Sequence, residues 1–245
     1  MTARIGNHYF STRPGVRSHP TQIRATLRGR AWTFITDRGV FARRGVDAGT
    51  RLLVEAMRIA QADHVLDLGC GYGPVGLVAA SLAPQGRAVL IDVNARAVEL
   101  AAQNAQLNGL GNVEVLQGDG CGPVADNLFD TAVTNPPIRT GKATLRRLVR
   151  DVWQHLRPGG RFYFVARTAQ GARTLARDVT EVFGTVRELE RKSGYRVYEA
   201  IKEVEELKSQ RSTSSTFQLS NFSTAFRVSE CSRRCRVNFS RLSPV

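Results

Sequence analysis

The chain has 245 residues, 42% of them hydrophobic, which is enough for one good-sized domain and excludes wholesale disorder. No apolar run reaches membrane-span length and the polar start, MTARIGNHYF, lacks a secretory core, so the expectation is a cytoplasmic protein with no membrane partner. The net charge is +14, and residues 1–60, with eleven arginines, no lysine and three acids, carry more than half of it; arginine at that density suggests a polyanion partner, nucleic acid first, with a coding bias toward arginine as the alternative.

Residues 1–48 read as a basic segment in which ATLRGRAWTFITDRGVF (25–41) alternates about a charged turn, predicting a small β hairpin packed on the main domain. That domain is expected over residues 49–202 and opens with a helix, GTRLLVEAMRIA (49–60). HVLDLG (64–69) predicts a buried strand and PVGLVAASLA (74–83) a helix begun by proline. RAVLIDV (87–93) is a second strand, and ARAVELAAQNAQLNG (95–109) an alanine-rich helix closed by Gly109. VEVLQGD (113–119) and DTAVTN (130–135) are further strands. KATLRRLVRDVWQHL (142–156) puts Leu145, Leu148, Val149, Val152, Trp153 and Leu156 on one helical face. RFYFVAR (161–167) predicts a strand after a Pro-Gly-Gly turn, AQGARTLARDVTEVFG (169–184) a helix, and VRELERKSGYRVYEAIK (186–202) a hairpin about Ser193–Gly194. Residues 203–245, rich in Ser, Thr and Arg without sustained period, read as a disordered tail.

This alternation predicts an α/β fold. It is a Rossmann-like, seven-stranded, mostly parallel sheet with helices on both faces, an antiparallel strand from the C-terminal hairpin at or near an edge, and a small N-terminal β element.

VLDLGCGYGPVG ends the first strand of the sheet. Gly71, Gly73 and Gly76 spell the dinucleotide fingerprint G-x-G-x-x-G, which alone discriminates little. Asp67, two residues before Gly69, is the discriminator. A carboxylate there suits a pyrophosphate poorly and a cationic amino group well. S-adenosylmethionine carries such a group, a ribose and no phosphate, so Asp67 turns the reading toward that methyl donor. The four cysteines are too few and too scattered for a disulfide framework, and Cys231 and Cys235 make only a lone C-x3-C, so no metal site is expected.

With LDLGCGYGPVG and TNPPI together, the chain resembles class I S-adenosylmethionine-dependent methyltransferases, and among them the methyltransferase small-domain family. That family includes guanine-N2 methyltransferases of small-subunit ribosomal RNA. HYFS (8–11), TDRGVFARRGVDAGT (36–50) and LRPGG (156–160) are similar to its pattern as well. The resemblance implies that Gly69, Gly71 and Gly73 cradle the methionine part of the cofactor, with Asp67 near its amino group and Thr50 near its carboxylate. It implies Asp92 on the ribose hydroxyls and Asp119 on the adenine amine, although a helix cap or Asx turn is the alternative for Asp119.

TNPPIRTGK (134–142) then has a chemical reading. An exocyclic amine is a poor nucleophile because its lone pair is delocalised into the ring. Asn135, with a backbone carbonyl of the Pro136–Pro137 turn, offers two acceptors to its N–H groups, and two fixed φ angles keep them in place. Asn135, Pro136 and Pro137 are therefore the catalytic candidates, with Asn135 also beside the cofactor. Adenine-N6 and glutamine-N5 enzymes usually place an aromatic after the prolines. Ile138, followed by Arg139, resembles the guanine-N2 group instead, and both are substrate-side candidates. Base stacking then falls to Tyr9, Phe10 or Phe41. Rival readings are a methyltransferase for a protein or small molecule, and an RNA-binding protein without catalysis.

Overall fold

The computed structural model describes residues 12–203; Phe10 and the tail from residue 204 onward lie outside the described residues. Strands β1 (Thr21–Leu27) and β2 (Arg30–Thr36) form an antiparallel hairpin turned by Arg28 and Gly29, both left-handed at φ 53° and 72°. The alternation of AWTFIT puts Trp32 and Phe34 on one side, where they stack at 5.8 Å, and Phe34 meets Tyr72 edge-on at 5.7 Å.

Helix α1 (Ala48–Ala56) is capped by Asp47. It stops short of the predicted residue 60 because the Arg28 guanidinium takes the carbonyls of Glu55 and Met57, at 2.9 and 3.0 Å. There follow β3 (His64–Leu68), α2 (Pro74–Leu82), β4 (Arg87–Asp92), α3 (Ala95–Leu107), β5 (Val113–Gln117) and β6 (Phe129–Thr134). The chain closes with α4 (Lys142–His155), β7 (Leu156–Arg167), α5 (Ala172–Phe183), β8 (Val186–Lys192) and β9 (Tyr195–Ile201).

Strands β3 to β9 make the expected seven-stranded sheet in the order β5-β4-β3-β6-β7-β9-β8. Strand β9 runs antiparallel to both its neighbours, β7 and the edge strand β8. Strand β7 begins earlier than predicted. Leu156 already pairs with Phe129 ahead of a bulge, and Gly159 and Gly160 exchange backbone hydrogen bonds with Lys202 at 2.7 and 2.9 Å.

Alternate residues of the strands feed two cores. Val65 and Leu90 face Leu53, Leu77 and Leu100 of α1, α2 and α3. Leu66, Val89 and Phe164 face Val149 of α4 and Val179 of α5. Each such side chain contributes about 1.5–3 kcal/mol by leaving water.

The hairpin is joined to this body by two asparagines one helical turn apart. Buried Asn104 accepts from the Ile35 N–H (2.7 Å) and donates to the Ile35 and Tyr72 carbonyls (2.9 Å each), while Asn108 donates to the Thr33 carbonyl (2.8 Å). Helix α3 thus behaves toward β2 as a neighbouring strand would. Strand order reverses between β3 and β6, and at such a switch point open parallel sheets leave a crevice at the carboxyl ends of their strands.

Candidate active site

The turn after β3 leaves the sheet at once, because the Gly69 and Cys70 N–H groups both donate to the Ile91 carbonyl, at 2.8 and 3.1 Å. Gly69 and Gly71 are left-handed, at φ 73° and 58°, and a Cβ on either would stand in open space. Gly73 differs. It caps α2, and a Cβ there would lie 3.1 Å from Leu77 and 3.4 Å from Ala101, so this glycine serves helix packing and does not line the crevice.

Two carboxylates meet the turn from below. Asp67 is buried and accepts the Gly76 N–H at 2.7 Å through Oδ2. Burial raises its carboxyl from the ordinary 3.8 to about 7, against the Gly76 bond and with added repulsion from Asp92. Asp92 accepts the Gly71 N–H at 2.8 Å and the Asn94 N–H at 2.9 Å, and burial raises it too. No cation among the described residues offsets either one. Asp119 is more exposed, and both its oxygens take Arg147 Nη2 of α4 at 2.7 Å.

The second turn arrives from β6. Its last residue, Thr134, donates its hydroxyl to the Leu68 carbonyl at 2.7 Å, which ties the tip of β6 to the tip of β3. Asn135 follows at once. Its Nδ2 donates to Thr50 Oγ1 at 3.1 Å and to Asp47 Oδ2 at 3.4 Å. Beyond it, the Pro137 carbonyl accepts the Thr140 N–H (3.0 Å) and hydroxyl (2.8 Å), closing a 3-10 turn over Ile138–Thr140. The Arg139 side chain lies outside what the structure describes.

Both turns open into one cavity of about 450 Å³, the size of a small-molecule site. It brings together Thr50, Asp67, Gly69, Gly71, Asp92, Asp119, Asn135, Pro136, Pro137 and Ile138. Phe41 also lines it. Thr50 does so with its hydroxyl already committed to Asn135 and Asp47.

Sequence reasoning passed over Arg167, Gln170 and Tyr195, which also line the wall, and gave Asp47 no role beyond its place in the DAGT stretch expected to wrap the cofactor. Tyr195 opens β9 opposite Arg167, whose guanidinium carbon lies 5.8 Å from the ring centre. The signal available was the Ser193–Gly194 turn, which folds Tyr195 back over the end of β7. No group of three or more His, Cys, Asp or Glu side chains among the described residues is placed to hold a metal ion.

A doubly wound sheet with a glycine turn at β3, acids ending β3 and β4, and an Asn-Pro-Pro turn at β6 has the architecture of Rossmann-like methyltransferases. The chain belongs to the methyltransferase small domain family, whose profile matches residues 31–199. It is 37% identical over 200 residues to the uncharacterized protein YbxB of Bacillus subtilis, covering 81% of this chain and 100% of that one. It is 33% identical to the ribosomal RNA small subunit methyltransferase C of Pseudomonas putida over 166 residues, 66% of this chain and 49% of the relative. In structure it is similar to the Thermus thermophilus 16S rRNA N2 guanine methyltransferase RsmC, solved with AdoMet and guanosine. That match has a TM-score of 0.68 and 29% identity, and covers 78% of this chain and 52% of the other. The chain therefore spans all of YbxB and about half the length of the ribosomal RNA methyltransferases.

Proposed function

We propose that this chain is an S-adenosylmethionine-dependent methyltransferase acting in the cytoplasm on the exocyclic N2 amine of a guanine in small-subunit ribosomal RNA. The observation that carries this reading is that the Asn135 amide and the Gly69–Gly71 turn face one cavity, with their strand tips joined by the Thr134–Leu68 hydrogen bond. The AdoMet and guanosine of the Thermus neighbour and the rRNA specificity of the Pseudomonas relative support it. No helix among the described residues is long and apolar enough to cross a membrane.

The residues fit the donor. Asp67 is a buried carboxylate with no cation beside it among the described residues, which a ligand ammonium would neutralise. The open space at Gly69 and Gly71 admits a ligand against the backbone. Asp92 would take ribose hydroxyls, and Asp119 the adenine amine beside Arg147. When bound, the donor supplies a methyl group made electrophilic by a sulfonium.

The protein's part is to hold a weak nucleophile still. The Asn135 carbonyl accepts one N–H of the guanine amine. The Pro137 carbonyl is occupied by Thr140, so the second acceptor is the Pro136 carbonyl. Both are fixed before positive charge grows on the nitrogen, which is the condition for electrostatic stabilisation without reorganisation. Positioning of the two reactants is worth roughly 7–11 kcal/mol of barrier. No histidine or acid is needed as a base, since the proton can leave to water.

Tyr195, which lines the same cavity as the prolines, would offer the target base an aromatic ring where Ile138 offers none. Arg167 presents the fork that pairs with guanine O6 and N7. The reading is tested by mass spectrometry of 16S rRNA nucleosides from cells with and without this gene. Loss of N2-methylguanosine at one position is expected; an unchanged nucleoside profile contradicts it.

A further inference from the structure

We infer that Asp47 and Thr50 act as an orientation lock on the catalytic asparagine, positioning residues that decide which end of the Asn135 amide meets the substrate. The inference rests on the methyl-transfer reading above and adds two residues to it. Asparagine has an acceptor oxygen and a donor nitrogen of nearly equal size, so a site that needs the oxygen forward must forbid the flipped form.

The local bonding forbids it. Asp47 Oδ1 accepts the N–H groups of Gly49 and Thr50, at 2.9 and 3.3 Å, as the cap of α1. Asp47 Oδ2 accepts the Thr50 hydroxyl. That hydroxyl has one proton, and it is spent. Thr50 Oγ1 can therefore only accept from Asn135, and Asp47 Oδ2, which already takes the Thr50 hydroxyl, accepts as well. Both groups that bond Asn135 Nδ2 among the described residues are acceptors, at 3.1 and 3.4 Å. A flipped amide would set its oxygen against two oxygens. The nitrogen must face α1, which leaves Oδ1 as the end available to an amine in the cavity that Asn135 lines. The cap of α1 and the chemistry of β6 thereby share one carboxylate.

Asp47→Asn tests this without removing the cap, because an amide oxygen still accepts from Gly49 and Thr50. It replaces Oδ2 with a donor, so that two NH2 groups confront each other and Asn135 is released or reversed. Single-turnover methyl transfer to small ribosomal subunits from cells lacking the gene is the assay. The expected loss in rate is about ten- to a hundredfold, the worth of a charge-assisted hydrogen bond. KM, melting temperature and the Kd for S-adenosylhomocysteine should stay within about threefold or a few degrees. Thr50→Val should lose rate similarly, and Thr50→Ser should recover it.

The side-chain amide signals of Asn135, identified by their loss in Asn135→Ala, should move upfield in Asp47→Asn without any substrate present. If Asp47→Asn lowers stability by more than that, Thr50→Val, which keeps the cap, decides. Wild-type rates in Asp47→Asn and Thr50→Val beside an inactive Asn135→Ala would overturn the lock and leave the function standing. A wild-type rate in Asn135→Ala would overturn the function itself.

Discussion

Asp67 is kept from water, faces Asp92 across the glycine turn and has no cationic neighbour among the described residues. Its proton is therefore held up to about pH 7 in the folded state and released near the ordinary 3.8 in the unfolded chain. Between these values the folded state binds more protons. The ligand-free protein should thus lose the stability contributed by this group as pH rises from about 4 through 7. An ammonium at Asp67 reverses that cost, and it needs the carboxylate ionised. S-adenosylhomocysteine affinity, measured by calorimetry across pH, should fall about tenfold per unit below 7 and be level above it, with proton release on binding at low pH. Asp67→Asn should bind weakly with a flat profile; an unchanged slope in that variant contradicts the role. A second prediction concerns Tyr195. Stacking on a base is worth about 1–3 kcal/mol, so Tyr195→Ala should raise the KM for RNA roughly tenfold with kcat less affected, while Tyr195→Phe should not. Asp67 and Asn135 were readable in the sequence because each stands inside a short motif whose backbone chemistry is local. Asp47 and Tyr195 were not, since their meaning lies in partners far along the chain: Asp47 reaches Asn135 across 88 positions.

At the scale of elements, α1 ties the site together. Its first turn holds Asp47 and Thr50, and it also receives Tyr195: a Cβ built on Gly49 would fall 2.7 Å from that ring. Gly49→Ala should push the ring aside and raise the KM for RNA, as Tyr195→Ala does, with donor affinity kept. The strands and helices were legible from periodicity to within a few residues, as were the antiparallel β9 and the hairpin β1–β2. What periodicity left out was how the hairpin is held. Asn104 reads as a polar residue in an alanine-rich helix, and only the fold reveals that it bonds Ile35 and Tyr72. Asn104→Ala strands those groups and should cost about 1–3 kcal/mol in chemical denaturation, with faster amide exchange at Ile35. Wild-type exchange there would mean that Asn104 does not hold the hairpin. The ends of α1 and β7 moved for similar reasons, because Arg28 and Lys202 bond backbone groups that a local reading leaves out.

Over the whole molecule, two arginines of the surplus stand two and three residues beyond the cavity-lining Phe41. Exposed Arg43 and Arg44 follow Phe41 in the loop that reaches the cavity wall, and Arg24 and Arg38 stand exposed nearby in sequence. RNA affinity should fall steeply with salt. Replacing Arg43 and Arg44 by alanine should reduce the log–log salt slope by roughly 1.4, two single-strand phosphate contacts at about 0.7 each. A slope unchanged by the pair would place the RNA footprint elsewhere. Methyl transfer as proposed requires the turn after β3 and the turn after β6 to serve one reaction across one cavity. A crystal structure with S-adenosylhomocysteine bound measures this directly. The account predicts the ligand's amino group at Asp67, its ribose at Asp92 and its sulfur facing Asn135, with room between for a nitrogen at about 3–3.5 Å from a transferable methyl. A ligand seated with its sulfur turned away from Asn135, or outside the cavity between Asp67 and Pro136, would contradict it.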